Sequence, residues 1–185
     1  MVAVTSLWIP VLLSAVLVFV ASAILQMVIG HHWNDMRSVP RQQQLLDSLR
    51  ALSLPVGDYM VPRPASRAAA RDPAFMEQLD KGPVARLQVL PGGMNMGRSL
   101  AQWFAYCVLV SVFVACIAVP VLHRGASYPL VFHTAAGIAF GCYALALPQA
   151  SIWYGRSWRM TVMTIIDGLV YGMLTGGTFG AFWPH

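Results

Sequence analysis

Charge is what this sequence has least of. Of its 185 residues only 10% are Asp, Glu, Lys or Arg, against roughly a quarter in a soluble domain. Beside a hydrophobic share of 57%, that shortage excludes an ordinary water-soluble globule. Cysteine is nearly as scarce. Cys107, Cys116 and Cys142 all fall in apolar stretches, and an odd number there argues against a disulfide framework. They read as small hydrophobes. The net charge of +5 is spread among acids rather than gathered in a basic run, so no nucleic-acid partner is expected. A Ser-His-Asp set at compatible depths, a zincin histidine pair and paired carboxylates are also missing. No reaction can be read from the chain, and no cofactor is expected. The Gly92-Gly93 pair lacks the Lys-Ser/Thr and the strand-to-helix frame of a phosphate loop, and reads as a turn.

Long apolar runs are what the chain has in abundance. About 20 residues cross the hydrocarbon core as a helix, and four stretches qualify: Leu7–Gly30, Ser99–Leu122, Tyr128–Leu147 and Met160–Trp183. The first three hold no Asp, Glu, Lys or Arg. All six tryptophans lie at or near the ends of these runs, where an amphipathic ring prefers the membrane boundary. Ala21-Ser22-Ala23 resembles a cleavage site, but there is no basic n-region and the apolar run continues. An uncleaved anchor is expected, with Pro10 kinking or capping its outer end.

Nine of the twelve Lys and Arg residues lie between the first two runs, Arg156 and Arg159 lie near the third connection, and Arg124 alone lies in the second. The positive-inside rule then places the long segment in the cytoplasm and both termini outside. The expected layout is residues 1–30 as the first span, 31–98 as a cytoplasmic insertion, and 99–185 as spans two to four.

Within the insertion, Leu45, Leu46, Leu49 and Leu52 recur at helical spacing and predict a short amphipathic helix over Gln42 to Leu54. It would lie on the inner leaflet or cover another part of the loop. Asp72-Pro73 reads as an N-cap and first helical residue. The helix would run to Lys81, with Phe75, Met76 and Leu79 inward and Gly82 ending it. Pro83 to Leu90 has strand character and can pair with the Tyr59-Met60-Val61 segment. His31, His32 and Asp35 are weak metal candidates, since His31 and Asp35 are four apart; polar residues at a headgroup boundary would look the same.

The last run holds the most information. It carries one acid, Asp167, and glycines at steps of four: Gly168, Gly172, Gly176 and Gly180. On a helix these make a ridge almost free of side chains. Gly137 and Gly141 on span three form a small-xxx-small pair, the expected mate of that ridge or else a self-association face. In span one, Ser14, Ala15 and Ser22 mark a helix-packing face or are ordinary composition. Asp167 is structural glue or a proton- or ion-handling group. Thr164 and Tyr171 share its face and can hydrogen-bond it, and Arg156 or Arg159 can reach toward it. His133 lies toward the opposite surface.

Gly82-Pro-Val, Pro91-Gly-Gly-Met-Asn-Met-Gly, Trp103-Phe-Ala-Tyr, Asp167-Gly-Leu-Val-Tyr and Gly176-Gly-Thr-Phe-Gly resemble a group of uncharacterised small bacterial membrane proteins without an assigned activity. The resemblance implies a bacterial inner-membrane setting and a four-span layout, and no catalytic residue. The expectation is therefore an all-α membrane protein, a four-transmembrane-helix bundle with a small α+β cytoplasmic insertion between helices 1 and 2. It would act in the lipid bilayer as an accessory or scaffold subunit bound to a partner membrane protein or a second copy. The alternative is a small oligomeric ion or proton channel or transporter using Asp167.

Overall fold

The computed structural model describes residues 2–30, 32–93 and 95–185; His31, one of the metal candidates, lies outside them. A 3-10 turn at Val4–Leu7 leads into α1 (Trp8–Ala23), which continues as a π-turn over Ile24–Ile29. A 3-10 turn at Trp33–Asp35 precedes α2 (Gln42–Leu52), β1 (Gly57–Val61), a 3-10 turn at Ala69–Arg71, α3 (Pro73–Lys81) and β2 (Ala85–Val89). Then come α4 (Met96–Val121), α5 (Tyr128–Phe140), a π-turn at Gly141–Leu145, α6 (Pro148–Tyr154) and α7 (Trp158–Ala181). Four stretches are helical, long and apolar enough to cross a membrane: Val4–Ile29, Met96–Val121, Tyr128–Tyr154 and Trp158–Ala181. That is the layout of a multi-pass membrane protein. By contacts the chain divides into two compact units, Met1–Arg37 with Met96–His185, and Ser38–Asn95.

The third stretch runs past Leu147, where the sequence suggests an end. Pro148 falls on the first residue of α6, where the missing N–H has no intrahelical bond to lose. The π-turn before it absorbs the change of register. Gly155, in the left-handed region at φ 67°, ends the stretch instead, so Arg159 belongs to the first turn of α7.

In the larger unit, α5 lies along α7, α1 against α4 and α7, and α4 against α5. The interior is built from small and β-branched residues, among them Ala15, Val18, Val114, Ala115, Ala118, Val131, Ala135 and Ala139. Ser14, Ala15 and Ser22 are all buried, so they do mark a helix-packing face. Ser14 Oγ sits 3.0 Å from Ser111 Oγ of α4, and Ser22 Oγ accepts from Trp103 Nε1 at 2.7 Å. Ser22→Ala leaves that indole N–H without its acceptor in an apolar setting. We expect a loss of about 1 kcal/mol, read as a lower unfolding midpoint in detergent, with Ser22→Thr close to wild type.

The α5–α7 contact is backbone-close. A Cβ built at Gly176 would stand 2.7 Å from Ala136 Cβ and 2.7 Å from the Phe132 carbonyl oxygen, and one at Gly172 3.0 Å from the Ala136 oxygen. Gly168 meets Ala144, and Gly180 meets the Tyr128 ring. The α5 side of this contact is therefore Tyr128, Phe132, Ala136 and Phe140, not Gly137 and Gly141. A Cβ at Gly137 would meet nothing within 4 Å, and one at Gly141 only Leu145 of its own stretch. On a helix, residues 132, 136 and 140 form a different row from 137 and 141. The ridge selects the row whose backbone it can approach through alanine.

In the unit Ser38–Asn95, Asp72 caps α3 by accepting from the Ala74 N–H at 2.9 Å, with Pro73 behind it. β1 and β2 are antiparallel, with Tyr59 opposite Leu87. No described residue of this unit is buried. Phe75 and Leu79 are half-buried, whereas Met76, expected inward, is exposed: with nine residues, α3 has room for one narrow apolar stripe, and Met76 lies off it.

Candidate functional site

Asp167 is the only ionisable residue among the buried polar side chains described in the long helices, at 2% exposure. Its surroundings come from the end of the first stretch. The π-turn over Ile24–Ile29 carries Gln26, whose Nε2 donates to Asp167 Oδ2 at 3.2 Å. Gly30 then takes a left-handed conformation at φ 59°, which a residue with a Cβ adopts only at a cost. The chain turns there, and the 3-10 turn after it presents His32 and Asp35. His32 Nε2 lies 2.9 Å from the same Asp167 oxygen, and His32 Nδ1 lies 2.5 Å from Asp35 Oδ2. Arg159 Nη1 donates to the other Asp35 oxygen.

The result is a chain of alternating charge: Asp167, His32, Asp35, Arg159. Both acids are buried and the two bases are more exposed. The Asp167 and Asp35 side chains are 2% and 0% exposed, His32 17% and Arg159 48%. Both imidazole nitrogens face carboxylate oxygens, a geometry in which the imidazolium form donates to both acids at once. Burial pulls the His32 pKa down. Hydrogen bonds donated to Asp167 and Asp35, with the attraction of their charges, outweigh it and raise the pKa above the ordinary 6.5. Placing a protonated His32 and the Arg159 guanidinium next to the acids offsets part of the penalty for holding carboxylates in an apolar setting.

Beside the acid lies an aromatic wall. Tyr171, one turn along α7, is 5.3 Å from the Tyr143 ring and 6.1 Å from the Trp103 ring, centroid to centroid; Tyr106 stacks on Trp103 at 5.7 Å. Rings tilted or edge-on at these distances pack favourably. Tyr143 and Tyr171 are themselves buried in this cluster. Farther along α7, the Thr175 and Thr178 hydroxyls donate to the Tyr171 and Leu174 carbonyls of their own helix.

The sequence-predicted residues are distributed differently. Thr164 donates to the Met160 carbonyl and accepts from Arg156 Nη2 at 3.2 Å, so its hydroxyl serves the start of α7 rather than Asp167. Arg159 reaches Asp35, not Asp167. Tyr171 shares the acid's side of the helix as a wall. His133 is exposed on α5, its Nδ1 2.7 Å from the Pro129 carbonyl oxygen, and takes no part. His32 and Asp35 are drawn into the chain with Asp167. Among the described residues no group of three His, Cys, Asp or Glu is placed to hold a metal. Gln26 and the His32–Asp167 contact escape a sequence reading. The usable signal was depth: span one ends at Gly30 on the same side as the start of span four, and Asp167 lies only about 10 Å in from that side at 1.5 Å per residue.

No protein-family model, no curated protein and no solved structure matches the chain.

Proposed function

We propose that the protein is an accessory or scaffold subunit of a bacterial inner membrane. Its four apolar stretches cross the bilayer as a bundle, both termini lie outside the cytoplasm, and residues 38–95 lie inside it. The distribution of Lys and Arg supports that orientation. It holds a partner membrane protein, or a second copy of itself, against the outer row of α5.

One observation carries this reading: the lone intramembrane acid is engaged as a fastener. Asp167 is held by Gln26 and His32, in a chain that among the described residues runs on to Asp35 and Arg159. The buried threonines beyond it bond to their own backbone, so Thr175 and Thr178 do not extend the chain along α7. The partner face is the Gly137–Gly141 row, left open because α7 uses the neighbouring row. Small residues on such a row let a second backbone approach.

The test has two arms. Purified protein in liposomes loaded with a pH-sensitive dye should leak protons no faster than empty liposomes, and Asp167→Asn should not change that. Gly137→Leu should abolish the co-purifying chain or the oligomer, with the unfolding midpoint retained. Conduction by the purified protein that Asp167→Asn removes would establish the channel reading in its place.

A further inference from the structure

The unit Ser38–Asn95 leaves its own apolar groups uncovered, and α2 is where they are most ordered. Leu45, Leu46, Leu49 and Leu52 span roughly 120° of its circumference at 100° per residue. Leu45, Leu46 and Leu52 are 40%, 37% and 64% exposed, and Val56 just beyond is 64% exposed. The opposite side carries Gln43, Gln44, Asp47 and Ser48. Asp47 accepts from Gln43 at 3.0 Å and from Arg50 at 2.7 Å, so the polar side carries hydrogen bonds of its own.

We propose that this leucine face of α2 lies in the headgroup region of an anionic lipid leaflet. Chain continuity argues for lipid as the occupant. Ile29 ends one membrane-length helix and Met96 begins the next, so the unit Ser38–Asn95 is tethered at both ends to a membrane-length helix, directly at Asn95 and through the short segment 30–37 at Ser38. An exposed apolar helix face held there meets the leaflet at a high effective concentration. Charge argues for anionic lipid. The unit carries seven Lys and Arg (Arg41, Arg50, Arg63, Arg67, Arg71, Lys81 and Arg86) against five acids, with Arg41 and Arg50 on α2's own ends. Basic residues beside an apolar stripe are attracted to acidic headgroups over about a Debye length. Insertion of the four leucines needs no change in the helix, because its hydrogen-bonded polar side stays in water.

Amide exchange of the 42–52 segment, measured on the full-length protein, tests this. The environments are phosphatidylcholine nanodiscs, nanodiscs that also contain phosphatidylglycerol, and detergent micelles. Exchange should be slowest in the phosphatidylglycerol nanodiscs, on the order of tenfold below detergent, and intermediate in phosphatidylcholine alone. Leu45→Ser with Leu46→Ser should erase the protection. Arg41→Gln with Arg50→Gln, which leaves the leucine face intact, should shrink the difference between the two lipid mixtures. Equal exchange in all three environments would overturn the proposal. So would protection that persists unchanged in detergent, since another segment or a second copy would then be covering the face.

Discussion

Replacing Gly176 with leucine should separate α5 from α7 and cost at least about 3 kcal/mol of stability, well beyond ordinary overpacking. Even Gly176→Ala should be clearly destabilising. The reason lies in what the added atom meets. At Gly180 the neighbour is the ring of Tyr128, which can swing aside. At Gly176 it is the Phe132 carbonyl oxygen and the Ala136 Cβ, both at 2.7 Å. Backbone cannot move by a tenth of a helix diameter without carrying the whole of α5 with it. In a bilayer, helices gain little from hiding apolar surface, so close van der Waals approach is a larger share of what holds them together. The paired control is Gly137→Ala, which adds the same methyl group to open space and should leave the midpoint unchanged or slightly raised, since alanine is the better helix former. Thermal unfolding of the purified protein in detergent, followed by circular dichroism, reads both. Equal effects at residues 137 and 176 would mean that the two rows of α5 are equally engaged.

The contrast between those two glycines also marks how far the sequence can be read. The ridge on the last stretch was legible, because four glycines at steps of four leave one side of a helix bare whatever it touches. Its mate was not. Both rows of the third stretch are small enough to dock, one through Gly137 and Gly141 and the other through Ala136, and composition does not rank glycine against alanine. The α3 cap and the leucine stripe of α2 were legible because each is set by residues within a few positions of one another, and the strand pair because each strand carries its own local pattern. The partner of Asp167 was not. His32 lies 135 positions away, and it arrives only because a π-turn and a left-handed glycine bend the end of the first stretch inward. Neither feature has a sequence signature as plain as a proline or a heptad. Arg159 looked like the natural counter-charge, being close in sequence and of the right sign. Yet it sits eight residues, more than two helical turns, before Asp167, and Asp35 is within its reach instead.

Because His32 bridges two acids, the clasp should weaken as the solution becomes alkaline. A group whose pKa is raised by folding stabilises the folded state fully below its unfolded value, and loses that contribution as pH climbs through the raised value. For His32 the effect is therefore complete below about 6.5 and fades above it. The neutral ring has one donor for two carboxylates. The Asp35 contact is the shorter, so the bond to Asp167 is the one given up, and a buried carboxylate is left with less of its counter-charge. Unfolding midpoints in nanodiscs, taken between about pH 6 and pH 9, should fall with pH for the wild-type chain and stay level for His32→Gln. Asp167→Asn removes one of the two charges that hold the imidazolium, so its decline should begin at lower pH. Asp167→Ala is the severest change. It leaves the His32 charge facing an apolar gap, and breaking a buried pair from one side costs about 3–5 kcal/mol. Asp35→Asn should behave as the mirror case, freeing Arg159 toward solvent while His32 remains on Asp167. A flat wild-type profile, matched by His32→Gln, would show that the imidazole is not the proton-binding member of the chain.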